Sequence, residues 1–107
     1  MDDMYFEWDE HKNQINQIKH QVSFEEASTV FNDEHSLIEF DENHSDYEDR
    51  FRILGRSACD NILIVVHCIR EENRIRIISS RKATPNECKG YERSLLSWKK
   101  LWQMRNI

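Results

Sequence analysis

The chain has 107 residues, of which 38% are hydrophobic and 33% are charged. This length predicts a single domain over residues 1–107 with one modest core. No apolar run approaches the roughly 18 residues of a membrane-spanning helix, and the three cysteines lack the spacing of a disulfide framework or a zinc site. Because the acidic N-terminus also lacks the pattern of a secretory signal, we expect a cytoplasmic protein with reduced thiols.

The net charge of −5 conceals two oppositely charged halves. Residues 1–49 contain 15 acidic and two basic residues, whereas residues 50–107 contain 13 basic and five acidic residues. Such an asymmetry suggests that the second half of the chain faces a polyanion. The alternative is that the two halves neutralise each other across the folded domain.

The first predicted elements are a strand and a helix. Residues 4–8 are rich in aromatic side chains, which favours a short strand. Asp9 is a good N-cap for a helix from about 10 to 20. Ile15 and Ile18 mark the side of this helix that we expect to be apolar.

A second helix and an edge strand follow. Ser23 and Glu26 form a capping box, which predicts a helix over about 24–31. Leu37–Phe40 is a candidate short edge strand, and the acidic, polar residues 41–49 predict a loop.

Three runs of strand character come next, over residues 50–56, 62–69 and 74–80. The segments between them are short enough for hairpin turns, so the three runs predict an antiparallel meander. The resulting order, β-α-α-β-β-β-β-α once the final helix is added, predicts an α+β fold in which helices pack against an antiparallel sheet.

The final helix is predicted over residues 84–105. Thr84 caps it, Pro85 suits the first helical position, and Glu87 completes a capping box. Steps of three and four residues along this helix predict a stripe that faces the core, formed by Tyr91, Leu95, Trp98 and Trp102.

Arginines alternate with apolar residues in two of the predicted strands. Arg50 and Arg52 point away from Phe51 and Ile53, and Arg74 and Arg76 alternate in the same way with Ile75 and Ile77. Neighbouring strands lie about 4.8 Å apart, so these arginines are placed to form one basic patch. We expect the patch to continue towards the last helix through Arg81, Lys82, Lys89 and Arg93.

Two histidines stand out, and neither indicates a metal site. His67 is in phase with Leu63 and Val65 in the most apolar strand, a pattern typical of a hydrogen-bonded core residue as well as of a catalyst. His20 ends the first helix, where it can interact with the helix dipole. No H-x-x-x-H or H-E-x-x-H sequence exists, and we expect no metal and no other cofactor.

Several segments together resemble the BrnT family, the toxin half of bacterial type II BrnT/BrnA toxin–antitoxin pairs. They occur in order and at family-like spacing over about residues 4–92. The segments are Phe6-Glu-Trp-Asp9, Asn16-x-x-Lys19-His20, Val22-Ser-Phe-Glu-Glu-Ala27, Ile53-Leu-Gly-Arg56, Val65-Val-His67, and Ile75 through Thr84 with Glu87 and Tyr91.

The resemblance implies a RelE-like fold and a metal-independent endoribonuclease that arrests translation. It also implies a partner, a BrnA-like ribbon-helix-helix antitoxin that sequesters the toxin, with a heterotetramer as one possible assembly. The chain departs from the family pattern at Gln21, where Gly is usual, and at Cys68, where Thr is frequent. A left-handed backbone at Gln21 would cost about 1 kcal/mol relative to glycine.

RNA cleavage without a metal needs a base, an acid and a group that stabilises charge on the phosphorane. For stabilisation we select Arg76 and Arg81, and for acid and base His67 and Tyr91, with His20 in reserve. The predicted RNA-binding residues are Arg50, Arg52, Arg56, Arg74, Lys82, Lys19 and His20. A module that binds nucleic acid or protein through the same surface without turnover is the alternative function.

The end of the last helix runs past the usual family end. It contains more aromatic surface than a domain of this size needs, which is typical of an interface. We therefore expect Trp98, Leu101 and Trp102 to contact the antitoxin or a second toxin copy, unless this segment folds back and completes the toxin's own core.

Overall fold

The computed structural model describes residues 4–71 and 73–105. It has the predicted order of elements, an α+β arrangement of five strands and three α-helices with two short 3₁₀ turns. The strands are β1 (Tyr5–Glu7), β2 (Leu37–Phe40), β3 (Phe51–Arg56), β4 (Ile62–Ile69) and β5 (Arg74–Lys82). The helices are α1 (Glu10–His20), α2 (Phe24–Thr29) and α3 (Pro85–Arg105), and the 3₁₀ turns are Val30–Asn32 and Glu42–His44.

The strands form one sheet in the order β1-β5-β4-β3-β2. The meander of β3, β4 and β5 is antiparallel, as predicted, and β2 pairs antiparallel to β3 at one edge. β1 pairs parallel to β5 at the other edge, and it pairs with only the first three residues of β5. The rest of that edge of β5 has no neighbouring strand among the residues described.

The main core lies on one face of the sheet, which we call the inner face. The α2 region contributes Val22, Phe24, Ala27 and Val30 to it, and the strands contribute Ile53, Leu63, Val65 and Ile77. Val66 of β4 pairs with Arg52 of β3 on one side and with Ser79 of β5 on the other. Because side chains alternate along a strand, these three point to the opposite face of the sheet, which we call the outer face.

A shift of register in the β4–β5 pair decides which residues of β5 reach the outer face. His67 pairs with Ile77 and Val66 pairs with Ser79, so Ile78 is an extra residue in β5. Strict alternation from Ile77 would place Arg81 on the inner face. The extra residue reverses the phase, so Arg81 shares the outer face with Arg76, and Lys82 is displaced from it.

The buried side of α1 is polar, which corrects the prediction made for Ile15 and Ile18. Those side chains are 44% and 81% exposed, whereas Asn13 and Asn16 are buried. The Asn13 side chain accepts a hydrogen bond from the Phe24 N–H at 2.9 Å. A buried asparagine is stable there because its amide pairs with backbone groups that would otherwise have no partner.

Asn16 takes the place of a strand at the free edge of β5. Its Nδ2 donates to the Ser80 carbonyl at 2.8 Å, and its Oδ1 accepts from the Ser80 N–H at 3.2 Å. Nδ2 also donates to the Val22 carbonyl at 2.9 Å. One side chain therefore attaches α1 to both the sheet edge and the turn that follows the helix.

The turn after α1 has a left-handed backbone. Gln21 has φ 56°, and its N–H donates to the Gln17 carbonyl at 2.9 Å, which ends the helix. Its side-chain amide also donates to the Ile18 carbonyl.

α3 begins as predicted, and its second half is largely exposed, although the centre of the Trp98 ring lies 4.4 Å from that of His35. The Thr84 hydroxyl accepts from the Glu87 N–H, and Glu87 accepts from the Thr84 N–H at 2.8 Å. The stripe faces the core only in part, since Tyr91 is buried and Leu95 half-buried, but Trp98 and Trp102 are 47% and 54% exposed. Within the described ranges, no helix has the length and apolar character needed to cross a bilayer.

Asn16→Ala should lower the free energy of unfolding by about 3 kcal/mol, because the Ser80 peptide group would lose both partners in a buried place. Chemical denaturation monitored by circular dichroism measures this change. Gln14→Ala on the exposed side of α1 is the control and should change stability by less than about 0.5 kcal/mol. An Asn16 variant as stable as this control would show that the contact with β5 adds no stability.

Candidate active site

The outer face of the sheet contains a cavity of about 290 Å³. It lies where the end of α1, the segment that joins β2 to β3, and strands β3 to β5 come together. Ile64, Val66 and Ile78 contribute apolar surface from the strands. The charged and titratable side chains around it are His20, Asp41, His44, Arg50, Arg52 and Arg81.

The strand register explains why these arginines meet. Arg52 pairs with Val66 in β4, and Arg81 of β5 pairs with Ile64, also in β4. Both arginines are therefore on the outer face and lie two strands apart, about 10 Å by the usual strand spacing. Four of the residues predicted from the sequence, His20, Arg50, Arg52 and Arg81, line this one cavity.

Asp41 organises one wall of the cavity. Its carboxylate is almost fully buried and accepts from Arg52 Nη1 at 2.9 Å. His44 Nδ1 lies 3.0 Å from Asp41 Oδ2, in position to donate a hydrogen bond. Since Glu39 also accepts from Arg52 Nε at 3.0 Å, the guanidinium is held between two carboxylates.

Arg81 is held by the first turn of α3. Its Nη1 and Nη2 donate to Glu87 Oε1 and Oε2 at 2.7 and 3.0 Å. These hydrogen bonds lower the pKa of Glu87 to about 2. A bidentate pair of this kind fixes the plane of the guanidinium and leaves its charge at the cavity.

Arg50 is the least satisfied cation of the cavity. Its Nη2 lies 3.5 Å from Glu48 Oε1, and its Nε is buried without a hydrogen-bond partner in the part of the chain that the structure describes. A buried N–H of an ionised group is costly unless an acceptor binds it. An anionic oxygen in the cavity would satisfy it.

The remaining predicted basic residues are spread over the surface. Arg76 and Arg74 continue the outer face beyond the cavity, opposite Glu7 and Tyr5 of β1. Arg56 is at the far end of β3, where it donates to Asp60 at 2.7 Å and its guanidinium carbon lies 5.9 Å from the centre of the Tyr91 ring. Lys19 and Lys82 are exposed and do not line the cavity.

His67 is not brought to the arginines. It is buried on the inner face, between the rings of Phe31 and Phe51, with Nδ1 3.2 Å from the Val65 carbonyl oxygen. This burial lowers the pKa of His67 and so favours the neutral ring. The structure places it as a hydrogen-bonded core residue.

Tyr91 also lies apart from the cavity. Its hydroxyl donates to Asp33 Oδ2 at 2.6 Å, and burial together with this hydrogen bond raises its pKa to about 12. Asp33 in turn accepts from the Arg56 N–H at 2.8 Å. Tyr91 therefore joins α3 to the loop before β2 and to the end of β3.

The sequence analysis missed Asp41 and His44. Both belong to the segment interpreted as an acidic loop, whose only local signal is the three-residue spacing from Asp41 to His44. They meet the arginines because Phe40 pairs with Phe51, which brings the end of β2 beside the start of β3. Among the residues described, no group of three His, Cys, Asp or Glu side chains is placed to hold a metal ion.

In a comparison with known families, residues 8–87 match the model described as the ribonuclease toxin BrnT of type II toxin–antitoxin systems. A search of curated protein sequences finds no significant match. Among solved structures, the fold is similar to the crystal structure of the Brucella abortus ribonuclease toxin BrnT, with a TM-score of 0.56 and 23% sequence identity. The match covers 76% of this chain and 97% of the Brucella chain.

Glu87→Gln should lower stability by about 1 kcal/mol at pH 7, since the pair with Arg81 is partly exposed and screened by solvent. A carboxylate with a lowered pKa stabilises the fold above its unfolded pKa, and that stability is lost as the pH falls. The difference between parent and variant should therefore shrink between pH 4.5 and about 2. Urea denaturation at several pH values measures it.

The control for this experiment is Glu92→Gln, on an exposed position of α3. Its stability should follow that of the parent at every pH. A Glu87 variant whose deficit stays constant from pH 7 to pH 2 would contradict a role for the ionised carboxylate.

Proposed function

The chain belongs to the BrnT family of ribonuclease toxins of type II toxin–antitoxin systems, and from this we propose that it is a metal-independent endoribonuclease that cleaves RNA in the cytoplasm and inhibits translation. The cavity on the outer face is the proposed active site. The observation that supports this most is the convergence of Arg50, Arg52 and Arg81 with His20 and His44 around one cavity.

The chemistry proposed is attack of a ribose 2′-hydroxyl on the adjacent phosphate. The 2′-oxygen forms a bond to phosphorus and loses its proton to a base, while the bond to the 5′-oxygen breaks and that oxygen gains a proton from an acid. The products are a 2′,3′-cyclic phosphate and a 5′-hydroxyl. Arginines suit this reaction because they stabilise the charge that accumulates on the equatorial oxygens.

The RNA backbone has a path away from the cavity over the outer face. Arg76 and Arg74 extend the positive surface along β5, and neither has an ion pair among the described residues. On the other side of the cavity, the Tyr47 ring is fully exposed next to His44 and Arg50. An exposed ring in this position is suited to stack on an unpaired base.

For the partner, we propose a BrnA-like ribbon-helix-helix antitoxin that docks on the end of α3. Residues 93–105 contain four basic residues and no acidic residue, and they project an apolar stripe of Trp98, Leu101 and Trp102. Two such segments would repel each other in a toxin dimer. An acidic amphipathic segment of the antitoxin matches both the charge and the stripe.

Purified chain should cleave single-stranded RNA in the presence of EDTA and leave 2′,3′-cyclic phosphate or 3′-phosphate ends. Arginine and histidine side chains supply every role that the reaction needs. Gel analysis of an end-labelled RNA, with end-group identification by mass spectrometry, checks this outcome. Strict dependence on an added divalent metal would contradict the mechanism, and binding without cleavage would favour the non-catalytic alternative.

Matched variants link that activity to the cavity. Arg50→Ala and Arg81→Ala should each lower turnover by about 10²-fold, as expected for loss of one contact made in the transition state. Arg93→Ala on α3 removes the same charge outside the cavity and should cleave at the parent rate. Thermal melts check folding of the Arg81 variant, which also loses its pair with Glu87.

Leu101→Glu should weaken antitoxin binding by at least about 10-fold and leave RNA cleavage unchanged, because it places a negative charge in the apolar stripe. Gln103→Glu, off the stripe, is the control and should bind like the parent. Isothermal titration calorimetry with the antitoxin measures both affinities. Unchanged affinity in the Leu101 variant would exclude this segment from the interface, and its unfolding would show that the segment completes the toxin's own core.

A further inference from the structure

His44 and Asp41 form a hydrogen-bonded pair in a cavity that is otherwise lined by cations. His44 Nδ1 lies 3.0 and 3.1 Å from the two Asp41 carboxylate oxygens. His44 Nε2 has no hydrogen-bond partner among the described residues. The side chain is two-thirds exposed, so a substrate in the cavity can reach it.

The pair is built into the fold. Asp41 follows β2 directly, its N–H donates to the Arg50 carbonyl at 2.8 Å, and its carbonyl accepts from the Ser45 hydroxyl at 2.6 Å. The 3₁₀ turn Glu42–His44 then returns His44 over the carboxylate. Arg52 compensates the buried negative charge of Asp41, which would be costly if it were unpaired.

We propose, on the basis of the function proposed above, that His44 is the general base of RNA cleavage and that Asp41 is its positioning residue. A carboxylate that accepts from Nδ1–H holds the imidazole in the tautomer whose Nε2 carries a lone pair. This Nε2 takes the proton of the 2′-hydroxyl as the oxygen attacks phosphorus. His20, the second imidazole of the cavity, donates a proton to the departing 5′-oxygen.

The arginines around this pair complete the division of roles. Arg50 lines the same cavity as His44, and its Nε–H has no hydrogen-bond partner in the described part of the chain. Arg81 reaches the cavity from β5. Both arginines can bind the phosphate that is attacked by the 2′-hydroxyl which His44 deprotonates. Neither arginine serves as a base, since a guanidinium keeps its proton at any physiological pH.

The test compares variants of the full-length chain on one fluorogenic RNA oligonucleotide. His44→Ala should lower kcat by at least about 10²-fold with little change in KM or in RNA affinity. Added imidazole should restore part of the rate in His44→Ala and have no such effect on the parent. His11→Ala, an exposed histidine at the other end of α1, is the matched control and should behave like the parent.

The role of Asp41 is tested by asking whether the effect of changing it depends on the presence of His44. Asp41→Asn should lower kcat in the parent but cause little further loss in the His44→Ala background, because a positioning residue acts through the group it holds. Equal losses in both backgrounds would assign Asp41 to holding Arg52 and the fold, and would overturn its role for His44.

The outcomes separate this assignment from the proposed function. Cleavage by the parent together with near-parent cleavage by His44→Ala would overturn the assignment and leave the ribonuclease activity in place. Loss in His44→Ala that appears as weaker RNA binding and is not rescued by imidazole would also overturn it. A parent chain that binds the RNA but never cleaves it would overturn both proposals.

Discussion

The geometry of β5 controls the rest of the site. One extra residue, Ile78, reverses the phase of the strand and sends Arg81 to the outer face. Two residues later, the Ser80 peptide group pairs with the Asn16 side chain, which fixes α1 against the sheet edge. Because His20 lies one turn beyond Asn16 on the same helix, the contact that attaches α1 also brings an imidazole to the cavity.

The acidic first half of the chain does two things in the folded protein. Part of it neutralises the second half, as one interpretation of the sequence held, since Glu39 and Asp41 pair with Arg52 and Glu48 pairs with Arg50 and Arg70. The pairs of Arg50 and Arg52 also orient these two guanidinium groups and leave them at the cavity. The outer face therefore keeps its positive character at Arg74 and Arg76, which have no ion pair among the described residues, despite the net charge of −5.

The sequence predicted the elements well because their signals are local. The caps at Asp9, Ser23 and Thr84 are all present, and β4 has its predicted bounds. The faces of the elements were harder to predict. Ile15 and Ile18 suggested an apolar side for α1, but the helix is held by amide-to-backbone hydrogen bonds that a hydrophobic pattern cannot reveal.

In the candidate site, too, the features set by local sequence patterns were predicted and those set by contacts between distant residues were not. Alternation in β3 and β5 correctly placed Arg52 and Arg76 on one face. The pattern around His67 could not decide its role, because a histidine in phase with core residues looks the same in sequence whether it is a catalyst or a core side chain. Asp41 and His44 were missed because their neighbours come from strand pairing: 11 residues separate Asp41 from Arg52, and nothing in the intervening loop encodes the contact.

The inner face of the sheet holds the residues of the main core, and the outer face holds the residues of the proposed active site. The main core is built on the inner face by residues that do not line the cavity, and His67 belongs to that side. Arg50 and His44 line the cavity on the other side and do not belong to that core, so removing either side chain takes little from it. Arg81 and Asp41 are different because each also holds a second element, α3 through Glu87 and β3 through Arg52. A loss of activity on changing Arg50 or His44 therefore reports on the site directly, whereas a loss on changing Arg81 or Asp41 has both chemical and structural components.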